Sequence, residues 1–151
     1  MTTPSSRRRI PSWVKNRNVL GIVIGAVSLP FLVLLGHNIF SALGVPEFPV
    51  DEGAAEQEAF IQSLSFLEKI SVVVAHTGGT FLAACIAMII VKTKKRYPGL
   101  IIGGFGLLLG ALNDIDIPGV PIWMLALDLA LYLPAGWAAA NVVLKLKPRF
   151  L

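Results

Sequence analysis

Three side chains able to exchange protons interrupt apolar sequence: His37 in LLGHNIFSA, His76 in VVVAHTGGTFLAA and Asp128 in MLALDLALYL. In an apolar medium such groups need a partner, a cavity or a proton. Threonine, asparagine and tyrosine side chains at Thr80, Asn113 and Tyr132 accompany them, with Asn38, Ser41 and Thr77 as supplements. Imidazole with carboxylate is the pairing of general acid and base, of a proton relay, and of many metal sites. No phosphate-binding glycine loop follows a strand pattern, and no nucleophile elbow places a serine beside a histidine and an aspartate.

The surroundings decide what these groups can do. The 151 residues are 55% hydrophobic and only 15% charged, with a mean hydropathy of +0.74, outside the range of a water-soluble domain. Four apolar segments stand out: Asn18 to Val45, Ile70 to Val91, Leu100 to Leu112 with an extension toward Ile117, and Ile122 to Leu144. Crossing the hydrocarbon layer takes about 20 helical residues, so the first, second and fourth are long enough and the third is short. Their continuous apolar runs lack the alternation of a membrane β-barrel. The expected fold is an all-α membrane protein, a bundle of four transmembrane helices spanning residues 18–151 behind a basic tail, residues 1–17.

Charge orients the bundle. Twelve of the 13 basic residues lie before the first segment (Arg7, Arg8, Arg9, Lys15, Arg17), between the second and third (Lys92, Lys94, Lys95, Arg96) or after the fourth (Lys145, Lys147, Arg149). The alternate connections carry Glu47, Asp51, Glu52, Glu56, Glu58, Glu68, Asp114 and Asp116, with Lys69 alone for balance. The positive-inside rule puts both termini in the cytoplasm. The sequence pI near 9.5 then reports topology: the basic side meets anionic lipid head groups, and no basic stripe with interleaved aromatics points to nucleic acid. The first segment is longer than a signal-peptide core and reads as an uncleaved anchor. Cys85 is the sole cysteine, which excludes an internal disulfide and a Cys-pair metal site.

The connection at 46–69 is acidic and broken early by Pro46 and Pro49. From Ala54 onward Phe60, Ile61, Leu64, Leu67 and Ile70 recur at helical spacing, predicting a short amphipathic helix at the outer surface or a projection of the second spanning helix.

Small residues show which faces turn inward. Gly99, Gly103, Gly106 and Gly110 are spaced four, three and four apart, on one helical face that Asn113 continues. Such stripes let helices approach closely. Gly79, Thr80, Ala83 and Ala87 follow His76 by three, four, seven and eleven residues, and Asp128 shares a face with Tyr132, Ala135 and Ala139. His76 and Asp128 should therefore point into the bundle and pair. At about 1.5 Å per residue, His37, His76 and Asp128 fall roughly 10 Å below the outer surface, with Asn113 above them. Pro30 and Pro134 fall near mid-membrane, where the missing donors would free the carbonyls of Ala26 and Ala130.

The run His76-Thr77-Gly78-Gly79-Thr80, then Gly103-Gly104 through Gly110 to Asn113, then Pro121-Ile122-Trp123 and Asp128 resembles small four-helix bacterial inner-membrane proteins with a His-x-x-Gly-Thr second helix and a glycine-rich third. The likeness covers roughly residues 74–138, and the acidic connection is longer here than that group leads one to expect. It implies fold and location and brings no activity. Three functions are compatible with the polar layer. The first, which the residues favour, is a non-enzymatic structural or accessory subunit whose layer locks the helices. The second is a small-solute or proton-coupled transporter, which would require a homo-oligomer to enclose a path. The third is a redox protein with His37 and His76 as axial ligands of a haem b, or with Asp128 as ligands of a metal. A lipid-modifying enzyme using His76, Asp128 and Asn113 is a further possibility without an identified substrate.

Overall fold

The computed structural model describes residues 12–147, apart from the side chains of residues 13–15, 115 and 116. Arg7, Arg8, Arg9 and Arg149 of the basic set lie outside the described residues. Five helices follow one another: α1 (Ser12–Ala42), α2 (Ala54–Ser63), α3 (Phe66–Ile90), α4 (Tyr97–Asp116) and α5 (Ile122–Leu146). Three of them, over Asn16–Ala42, Phe66–Ile90 and Ile122–Leu146, are long and apolar enough to cross a membrane. The fourth long helix, α4, has 20 residues, a length of about 30 Å. α3 lies against α1, α4 and α5, and α4 against α5 and α1.

Local signals set the boundaries. Ser65 starts α3 with a capping box: its hydroxyl accepts from the Glu68 amide, and the Glu68 carboxylate accepts from the Ser65 amide at 2.6 Å. This cap begins the helix at Phe66 rather than Ile70 and separates it from α2. The expected stripe is therefore cut: Ile61 and Leu64 are buried, whereas Leu67, on the new helix, is exposed. α1 begins at Ser12, within the basic stretch, ahead of the apolar segment that starts at Asn18. The third apolar segment gains length at both ends, with Pro98 in the first turn, where a missing amide costs no helical bond. Pro30 and Pro134 lie inside α1 and α5, which continue through them. Gly119, at φ +80°, makes the turn between α4 and α5, and a Cβ there would also meet Glu58 of α2.

The packing inverts the size order of a water-soluble core. Ala83, Ala84, Ala87 and Ala139 are sealed around Leu29 and Ile102, with Met88, Val91, Ala140 and Val143 adjoining, while Phe31 and Ile89 are 68% and 64% exposed. Small residues at the contacts with large aliphatic ones outside is how helices pack in lipid, where close backbone approach replaces the hydrophobic driving force. The tightest contact joins α4 to α5: a Cβ on Gly99 would stand 2.5 Å from the Gly136 carbonyl oxygen, and one on Gly103 would stand 2.7 Å from that of Tyr132. A Cβ on the adjacent Gly104 would meet nothing within 4 Å. Gly103→Leu should accordingly lower stability by about 1–3 kcal/mol or more in a detergent unfolding titration, and Gly104→Leu should leave it near wild type; equal losses would show that the α4–α5 contact is not as close as described.

Candidate functional site: a His–Asp–Tyr cluster beneath an open cavity

α3 presents His76 and α5 presents Asp128 and Tyr132 toward one point. His76 Nδ1 lies 2.9 Å from Asp128 Oδ2, and the Tyr132 hydroxyl, one turn along α5, donates to the same oxygen at 3.0 Å. Their burial is deep, with side-chain exposures of 13% for His76 and 4% for Asp128. Thr80, fully buried, returns its hydroxyl to the His76 carbonyl at 2.9 Å and so stiffens the turn that carries the imidazole. His37 of α1 sets its ring against that of His76 edge to face, centroids 5.2 Å apart at 72°, and the Tyr132 ring stacks with the same imidazole at 6.4 Å.

The glycine stripe of α4 has two jobs. Its lower members admit the α5 backbone, as above, whereas Gly106 and Gly110 make room for Tyr132 itself. A Cβ on Gly106 would lie 2.7 Å from the ring's Cδ1, and one on Gly110 2.5 Å from its hydroxyl. Asn113, which continues this face in sequence, ends exposed at the rim of a cavity.

That cavity, of about 550 Å³, lies between the α2 end of the bundle and the cluster. Its walls include Phe60, Ile61 and Leu64 of the α2 segment, Phe48 of the preceding loop, and Met124 of α5. His37 and His76 reach it from below, while Asn38, Ser41, Glu47, Gln57, Ser71, Asn113 and Asp114 supply its remaining polar side chains. Ser41 donates to Glu47 at 2.8 Å, holding that carboxylate at the mouth. Asp114 and Glu47 read in the sequence only as part of an acidic surface; the turn at Gly119 and the docking of α2 turn them toward one cavity. Of the predicted layer, His76, Asp128, Tyr132 and Thr80 converge, His37 packs on them, and Asn113 stands apart.

The protonation chemistry follows from the bonds. A carboxyl oxygen accepting from Tyr132 and facing Nδ1 favours the His76 tautomer with hydrogen on Nδ1, which leaves Nε2 outside the bonds of the cluster. Asp128 Oδ1 is buried without a partner among the described residues. The haem alternative meets a steric conflict, because the two imidazole rings are in edge contact and a macrocycle needs the space between its axial ligands. Nor do three His, Cys, Asp or Glu side chains form a metal-holding group among the described residues; His37, His76 and Asp128 are close, but Asp128 is directed at His76.

The fold and site define a helical protein with three helices long and apolar enough to cross a membrane and a buried His–Asp–Tyr cluster. No family model, curated protein or solved structure matches the chain.

Because each partner satisfies the other, removing one strands a buried polar group, at about 1–3 kcal/mol. His76→Leu and Asp128→Leu should each destabilise the protein in detergent by about that amount, and the double variant should lose less than the two single losses added. Strict additivity would mean that the 2.9 Å contact contributes no coupling.

Proposed function

We propose that the chain is an integral protein of a bacterial inner membrane, with α1, α3, α4 and α5 spanning it, both termini cytoplasmic, and α2 lying over the outer end. It binds a small, partly apolar cation from the outer side and exchanges a proton at His76 and Asp128 as it does so. The observation that carries this reading is the cavity of about 550 Å³ lined by His37 and His76, with His76 bonded to an aspartate whose second oxygen is buried without a partner among the described residues. A pair serving only to lock helices has no need of a passage to the surface. Among the described residues the lining contains the carboxylates of Glu47 and Asp114, two imidazoles, and no lysine or arginine, which favours a cation over an anion. Its apolar and aromatic walls suit an organic cation better than a hydrated metal ion.

Scaffolding within a larger membrane assembly is the second reading, and the fit of Tyr132 between Gly106 and Gly110 favours it, since a closely fitted ring rigidifies the bundle. Calorimetry with benzyltrimethylammonium as the probe, in two buffers of different ionisation enthalpy, separates the two readings. Proton exchange should accompany binding to the wild-type protein and vanish in His76→Gln. Binding with no proton exchanged, or no binding at all, would leave the scaffolding reading standing.

The orientation has its own test. In a Cys85→Ala background, Glu56→Cys should react with an impermeant thiol reagent added to intact cells and Thr93→Cys should not; the opposite pattern would invert the topology.

A further inference from the structure

The other end of the bundle carries a second, larger groove that the outer site does not use. It encloses about 740 Å³ between the start of α1, the end of α3 with its following link, and the end of α5. Among the described residues four of its lining side chains are cationic, Arg17, Lys92, Lys94 and Lys147, and none is acidic; the walls include Ile89, Val143 and Leu146. Two of the cations are fixed in place. Lys147 donates its ammonium to the carbonyl oxygens of Met88, at 2.8 Å, and Val91, and Arg17 reaches the Ile90 carbonyl at 3.4 Å. These are terminal carbonyls of α3, whose negative dipole end favours a positive charge. They do not neutralise four cations. The strain registers at Lys147, where burial first, then the neighbouring charges of Lys92 and Arg17, hold the ammonium below its ordinary pKa.

We propose that this groove is a binding site for one anionic phospholipid of the adjoining leaflet, its phosphate set among Arg17, Lys92, Lys94 and Lys147 and an acyl chain lying along Ile89, Val143 and Leu146. The proposal rests on the chain spanning a membrane and is independent of which side the groove faces. Charge selects the head group: four fixed or nearby cations without a counter-carboxylate form an anion site. Apolar surface selects a lipid over a free anion, since Ile89 and Leu146 are 64% and 43% exposed directly beside the charges. A phosphate there would bridge the ends of α1, α3 and α5, so occupancy should stabilise the bundle by linkage.

The test uses the full chain, purified in mild detergent and stripped of lipid, with thermal unfolding followed as lipid is added. Phosphatidylglycerol should raise the melting temperature at concentrations where phosphatidylcholine does not, and glycerol 3-phosphate at the same concentration should have little effect. Lys94→Gln, an exposed residue with no bond to the bundle's interior, should weaken the apparent phosphatidylglycerol affinity about fivefold, and Arg17→Gln with Lys94→Gln about fivefold further. An equal shift with phosphatidylcholine, an equal shift with glycerol 3-phosphate, or an unchanged affinity in Lys94→Gln would overturn the proposal. Extraction of the chain from membranes by alkaline carbonate without detergent would instead overturn the spanning reading beneath it.

Discussion

The bond between His76 and Asp128 is the constraint around which the other helices are arranged. A carboxyl group 4% exposed in an apolar bundle is tolerated only with hydrogen-bond donors in reach, and here two donors, from α3 and α5, meet one oxygen. That requirement fixes the register of α3 against α5. It also fixes α4, because Tyr132 can reach Asp128 only with its ring in the space that Gly106 and Gly110 leave open. α1 follows through His37, whose ring rests on the imidazole, and through Gly79 of α3, where a Cβ would stand 2.7 Å from Val33 of α1. A polar contact thus sets which helix faces meet, and the small residues allow those faces to close.

The large side chains have the complementary role. With glycine and alanine at the contacts, leucine, isoleucine and phenylalanine are left to cover the outside, as the exposure of Phe31, Leu34, Ile89 and Leu108 illustrates. In water that surface would drive association; in lipid it is ordinary. Stability then depends on shape and on a few hydrogen bonds more than on apolar burial. This is why a glycine within the α4–α5 contact and a glycine one residue away differ so sharply in what they tolerate.

Much of this was legible in the sequence because it rests on periodicity. The spacing of Gly79, Ala83 and Ala87 after His76, and of Tyr132, Ala135 and Ala139 after Asp128, is enough to orient both side chains inward and to expect them to pair. The start of α3 was legible too, in the Ser65–Glu68 capping box, but the apolar pattern running from Phe60 to Ile70 concealed it by continuing across the break between two helices. The cavity was not legible. It depends on where α2 folds back and on a turn at Gly119, and neither a period nor a composition encodes such a placement; Glu47 and Asp114 are 67 positions apart in the chain and become neighbours of one space only in three dimensions. The double use of the glycine stripe was equally hidden, since spacing reveals that a face is smooth without revealing what fills it.

The two ends of the bundle are built differently, and this bears on what the acid–base cluster can do. At the α2 end, His37 and His76 open onto a cavity. At the basic end the helices are tied: the Lys92 amide donates to Asn18 at 2.9 Å, Arg17 reaches the Ile90 carbonyl, and Lys147 grips the last carbonyls of α3. Between the cluster and those ties lie the sealed alanines and Ile102, all fully buried. His76 thus borders a cavity with polar groups in its lining on one side and an apolar plug on the other. Under the cation-binding proposal, this arrangement favours binding from one side, with the proton taken from or returned to that same side. Carriage across the membrane would require the plug to part, and the carbonyl ties from Lys147 and Arg17 would have to be released first, which places the gating energy at the end of the molecule farthest from the site.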